Sequence, residues 1–161
     1  MNLKAWVAHF RSLHEKARAG TLTEAGWAEY RAGRDELARA MLAAQRAGLR
    51  PGETPRQALR VARALQADLE WTTDKVRAVT LDVSTGGFAV LLAKPPPRDE
   101  AVRVTLRIPG GEVVGAEARV AGVQVQPAAV RVALAFSRIA DSERERLELL
   151  VFDTVLGHLA A

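Results

Sequence analysis

No cysteine occurs in this 161-residue chain, which excludes a disulfide, a thiolate nucleophile and a cysteine-ligated metal. The absence fits a reducing compartment. Long apolar runs are missing as well. None reaches the roughly 20 residues that a helix needs to cross a bilayer. Residues 1–10 are broken by Lys4 and His9 and lack the apolar core of a signal peptide. A cytoplasmic protein with no membrane span is the expectation. Histidine is scarce: His9, His14 and His158 all fall in segments of helical periodicity, with no H-E-x-x-H spacing among them. They are expected on a surface or a partner face, and no metal or cofactor is expected. The chain has no phosphate-binding P-loop and no dinucleotide fingerprint. Ser84 has no histidine base in its motif, as an activated nucleophile would need, so no enzymatic chemistry is expected. Aromatic residues make up only 5%. The strand-like segments hold Trp71, Phe88 and Phe136, too few for the stacking platform of a single-strand binder.

Basic charge is plentiful by contrast. Nineteen arginines stand against four lysines, for a net charge of +4. Such a balance can attract nucleic acid, phospholipid or an anionic small molecule; a general bias toward arginine accounts for it equally well. Arginine suits forked contacts to phosphate and guanine better than lysine does. Hydrophobic residues, at 48%, suffice for the core of one medium domain, or of one small domain with an appendage.

Two helical stripes come first. Leu3, Trp6, Val7, Phe10, Leu13 and Ala17 recur at spacings of three and four, and Gly20 marks the end. Thr21 and Glu24 then have the spacing of a capping box. The second stripe is Trp27, Tyr30, Arg34, Leu37, Met41 and Ala44, interrupted by the charge of Arg34, with Gly48 as a stop. The short link between them predicts an antiparallel hairpin over 1–48. Two prolines and a glycine make 49–55 a linker.

Downstream the period changes to two. Leu65, Ala67, Leu69 and Trp71 form one alternation; Val79, Leu81 and Val83 form the next, against Ala78, Thr80 and Asp82. Phe88, Val90 and Leu92 follow, then Val102, Val104, Leu106 and Ile108, then Val114, Ala116, Ala118 and Val120, and last Val130, Val132, Leu134 and Phe136. Three prolines at 95–97 force a loop. Six short strands with frequent turns predict a barrel or a sandwich. Asp141 or Ser142 can start a final helix carrying Leu147, Leu150, Val151, Thr154 and His158.

The segment richest in chemistry is Asp82-Val83-Ser84-Thr85-Gly86-Gly87, at a corner between two strand-like runs. In extended backbone Asp82 and Ser84 share one face and Val83 takes the other. Gly86 and Gly87 permit backbone angles and close approach that a Cβ would block. Upstream, Arg56 and Arg60 stand four apart. Arg46/Arg50 and Arg103/Arg107 repeat that spacing, but only Arg56 and Arg60 fall just before the first strand. R-x-x-x-R, then D-x-S-x-x-G with 22 positions from Arg60 to Asp82, resembles a PilZ domain. That family consists of six-stranded barrels that bind the bacterial second messenger cyclic di-GMP.

The resemblance covers 53–161 and implies a six-stranded antiparallel β-barrel with a C-terminal helix; it leaves the N-terminal helical hairpin unexplained, and the two together make an α+β fold. It implies cyclic di-GMP as ligand and Arg56, Arg60, Asp82, Ser84 and Gly87 as its site. The arginines would grip guanine edges and phosphates. Asp82 would accept from guanine N1–H and N2–H, Ser84 would add a hydroxyl contact, and Gly87 would clear space for the base. The bland alternative makes Asp82 and Ser84 turn residues that bond local backbone. Many family members carry a further arginine just before the first motif. Here that position is Pro55, which favours a single ligand over a stacked pair, although Arg63 lies nearby. Residues 60–65 also fit a helical reading, which would present the arginines differently.

The function so implied is a non-enzymatic receptor or adaptor. Its arginine segment would order on binding and change the surface offered to a protein partner. The hairpin is expected to dock on the barrel or to mediate self-association, as a homodimer through the N-terminal helices. Two rivals stand beside the receptor: a ligand-independent scaffold that oligomerises through those helices, and a basic nucleic-acid-binding module.

Overall fold

The computed structural model describes residues 2–47 and 59–159. Arg56, the linker at 49–55, Gly48 and the side chains of Ala44 and His158 lie outside the described residues. Among the described residues the order is α1 (Leu3–Ala19), α2 (Glu24–Ala47), β1 (Gln66–Trp71), β2 (Asp74–Ser84), β3 (Gly87–Leu92), β4 (Val102–Arg107), β5 (Val113–Val125), β6 (Val130–Ile139) and α3 (Asp141–Leu159). The chain divides into two compact units, Met1–Leu59 with Val155–Ala161, and Arg60–Thr154.

In the first unit Asn2 caps α1 through Oδ1, which accepts from Ala5 N at 2.8 Å. Gly20 ends the helix with φ of 72°, a left-handed conformation that a side chain would disfavour. The cap of α2 differs from the expected capping box at Thr21. Thr23 Oγ1 accepts from Gly26 N at 3.1 Å, because the helix begins at Glu24 and its neighbour Thr23 is the half-in residue. His14 is buried rather than placed on a surface, and its Nδ1 is hydrogen-bonded to the Tyr30 hydroxyl at 2.7 Å. Arg34 does not break its stripe. Its guanidinium lies over the Tyr30 ring, 5.2 Å from the centroid, and extends the aromatic core by a cation–π contact. Trp6, Phe10 and Tyr30 stack in series at 5.4 Å spacings, as expected of core aromatics. Arg11 Nη2 donates to the Leu156 carbonyl at 3.0 Å, satisfying one of the open acceptors in the last turn of α3.

The second unit closes its strands into a barrel in the order β1-β2-β3-β6-β5-β4, every pair antiparallel. Inward side chains such as Leu69, Phe88, Val90, Val104, Leu106, Val114 and Val132 fill it. Closure leaves no open edge for another strand to pair with. Outside, opposite charges face each other across successive strands: Lys75 with Glu70, Glu70 with Arg103, Arg103 with Glu117, Glu117 with Arg138. Such pairs favour this register over its neighbours. Asp68 takes part in the same way. Arg77 Nε lies at 3.1 Å and Arg107 Nη2 at 3.3 Å, and the hydrogen bond from Arg77 holds its carboxyl below the usual aspartate range. A lowered folded-state pKa gives stability that is present at neutral pH and lost as pH falls through that lowered value. Urea midpoints of wild type and Asp68→Asn should therefore differ at neutral pH and converge in acid. A constant difference across the range would count against the ion pairs.

One expectation fails on β2. Val79 and Leu81 do not share the core with Val83; they are 54% and 36% exposed, while Ala78 and Thr80 are buried. The β2–β3 register shifts between Thr80 and Asp82, so Leu81 is an extra residue in a β-bulge. Thr80 pairs with inward Val90, and Val83 pairs with inward Phe88, which leaves Asp82 opposite Ala89 on the outer face. A hydrophobic alternation read from sequence cannot reveal such a phase change.

Candidate functional site

Just before β1 the chain is extended, not helical, and Thr80 fixes it to β2. The Thr80 hydroxyl donates to the Arg63 carbonyl at 2.6 Å and accepts from Leu65 N at 2.8 Å. Four residues earlier than Leu65, Val61 forms an antiparallel bridge with Val83: Val61 N donates to Val83 O at 3.0 Å, and Val83 N donates to Val61 O at 2.9 Å. Val61 and Val83 both point inward and are buried. Their preceding residues, Arg60 and Asp82, therefore emerge together on the outer face.

Arg60 Nε lies 3.5 Å from Asp82 Oδ1, within ion-pair range, but the geometry does not make a hydrogen bond. Asp82 Oδ2 accepts a hydrogen bond from Arg131 Nη2 at 2.8 Å. The carboxylate is only 13% exposed, so these charges meet in partly dry surroundings and are worth more than a surface pair. Among the described residues Oδ1 has no hydrogen-bond partner.

Arg131 was not singled out from the sequence. Its alternation with Val130 and Val132 marks it as outward, but β6 lies beside β3 through a connection that skips two strands. No local pattern can report that a residue 49 positions from Asp82 reaches it. The register supplies the path. Asp82 on β2 faces Ala89 on β3, Ala89 faces Ala133 on β6, and Gly122 on β5 follows. Arg131 stands two residues along β6 from Ala133 and spans the strand that carries Ala89. This row carries only small residues, with Ala89 buried and Ala133 half-buried.

Ser84 takes a local role. Its hydroxyl donates to the Gly87 carbonyl at 3.3 Å and accepts from Gly86 N at 3.1 Å, tying the β2–β3 turn from within. Gly87 is required by the backbone. A Cβ there would stand 2.0 Å from the Leu134 carbonyl oxygen on β6. Of the five residues expected at the site, Arg60 and Asp82 meet through their side chains. Ser84 and Gly87 shape the corner beneath them, and Arg56 lies outside the described residues.

A family model described as PilZ domain matches residues 54–153. No match was found among the curated proteins. Solved structures with a similar fold include the Bacillus subtilis inhibitor of motility MotI (DgrA), at 23% identity and a TM-score of 0.59, covering 65% of this chain and 53% of that one. The chain thus spans about half of MotI. The PilZ domain of Escherichia coli YcgR, solved with c-di-GMP, matches at 14% identity and a TM-score of 0.53, covering 65% of this chain and 95% of that one. The K. pneumonia MrkH–c-di-GMP complex matches at 16% identity and a TM-score of 0.57, covering 67% and 56%.

Proposed function

The chain belongs to the PilZ domain family, and on that premise we propose that it is a non-enzymatic receptor for cyclic di-GMP. The observation that carries this reading is the meeting of Arg60 with Asp82 on the outer face of the barrel. A carboxylate oxygen with no hydrogen bond can accept guanine N1–H, and its neighbour can accept N2–H, which adenine cannot supply in that arrangement. Once guanine occupies Asp82, Arg60 is displaced from its 3.5 Å contact and turns to a ligand phosphate or to guanine O6 and N7. Arg56 is assigned the same role, four residues upstream. Ser84 and Gly87 hold the corner in shape. Exchange of the Arg60 contact couples ligand to the segment before β1, and so to the surface presented to a protein partner. The structures of MrkH and YcgR with c-di-GMP support the choice of ligand by fold, not by residue.

Titration calorimetry with cyclic di-GMP tests the reading. Wild type is expected to bind at micromolar concentrations or below, about −8 kcal/mol. Arg60→Ala should weaken binding by about 2 kcal/mol, because one charged contact is lost. If wild type gives no heat at high micromolar ligand, the receptor reading fails and the ligand-independent scaffold takes its place.

A further inference from the structure

We infer that Arg131 is a positioning residue that sets the choice of guanine over adenine, by holding Asp82 in the orientation that accepts two ring donors. This rests on the receptor reading above and adds to it a residue that neither motif contains.

The argument is one of lone pairs. An ionised carboxylate offers about four acceptor positions on its two oxygens. Arg131 Nη2 uses one of them, on Oδ2, at 2.8 Å. One position remains on Oδ2, and Oδ1, buried beside Arg60 in the free protein, makes no hydrogen bond among the described residues and opens to a ligand once Arg60 moves off it. Two adjacent oxygens, each with an acceptor position to spare, match the adjacent N1–H and N2–H of guanine. Adenine presents an unprotonated N1 and no 2-amino group, so it would place a lone pair against Oδ1. The discrimination therefore depends on both oxygens facing the ligand. An unanchored aspartate could turn about its terminal torsion, which has broad, shallow wells. Arg131 restrains that torsion from β6, across Ala89 on β3, on strands whose register is fixed. Arg60 cannot supply the same restraint. It lies outside the named strands, on the segment before β1, and meets Asp82 at 3.5 Å without hydrogen-bond geometry. In the proposed exchange it also leaves Asp82 for the ligand.

The test compares cyclic di-GMP with cyclic di-AMP on wild type, Arg131→Ala, Arg131→Gln and Arg131→Lys, by calorimetry well below the melting temperature. Arg131→Ala should lose about tenfold or more in cyclic di-GMP affinity with little change toward cyclic di-AMP, so that the ratio of the two collapses. Arg131→Lys, which keeps a donor and a charge, should recover part of the ratio. Arg131→Gln guards against misfolding, since it keeps a donor on a side chain that is one-third exposed, and its ratio should fall between wild type and alanine. Variants that bind cyclic di-GMP with an unchanged ratio would overturn the role of Arg131 and leave the receptor reading standing. Wild type that binds neither dinucleotide would overturn both. Equal weakening toward both ligands would assign Arg131 to general phosphate attraction and overturn the inference.

Discussion

Asp82→Ala is expected to weaken cyclic di-GMP binding more than a hundredfold, about 3 kcal/mol or more, because two charge-assisted hydrogen bonds vanish together. The same change removes the anion shared by Arg60 and Arg131. Those arginines are only partly buried and can turn to water, so the loss of fold stability should be about 1–2 kcal/mol, somewhat above that of a surface pair. The two effects separate by measurement. Calorimetry at 25 °C reads the ligand term on folded protein, and thermal unfolding without ligand reads the other. A melt that drops steeply while affinity holds would make Asp82 a structural turn residue and sink its assignment to guanine.

Gly87→Ala is expected to have the opposite profile. Its new Cβ would lie 2.0 Å from the Leu134 carbonyl oxygen and 3.1 Å from Ala135 Cα, both in the backbone of β6. A strand cannot yield as a side-chain tip can. The β3–β6 ladder must open near Gly87 and Ala135, and the bond from Phe136 N to the Gly86 carbonyl, at 2.9 Å, strains with it. Overpacking of this kind costs about 3 kcal/mol, on the order of 10 °C in melting temperature. Differential scanning calorimetry without ligand gives the answer. If the melt stays at the wild-type value while cyclic di-GMP binding is lost, Gly87 serves the base rather than the sheet.

The fold was legible where chemistry is local. Strand alternation, the glycine stop at Gly20 and the order of six strands and a last helix follow from neighbouring residues. The family was legible too, since Arg56 and Arg60 precede β1 in sequence and the Asp82 motif follows at the end of β2. What escaped depends on pairing between distant strands. Arg131 comes to Asp82 only because β3 and β6 are neighbours in the barrel. The burial of Thr80 in place of Leu81 depends on a bulge, and Thr, Leu and Asp in sequence do not announce one. Ser84 was read as a ligand contact, and its hydroxyl is engaged with Gly86 and Gly87. A turn that uses its serine internally and a turn that offers it outward carry the same letters.

The bulge at Leu81 also bears on how this barrel can change over time. Regular alternation would tie every residue of β2 to one phase, so any shift that suited the ligand would disturb the core. Leu81 belongs to neither set: it fills no interior position and is a member of neither Asp82 ion pair. It works as a spacer between two reading frames, one running from Val76 to Thr80 for the interior of the sheet, the other from Asp82 onward for the corner. Selection can therefore edit the corner without renegotiating the strand behind it. Leu81 itself is the position in β2 where sequence drift should be tolerated most freely.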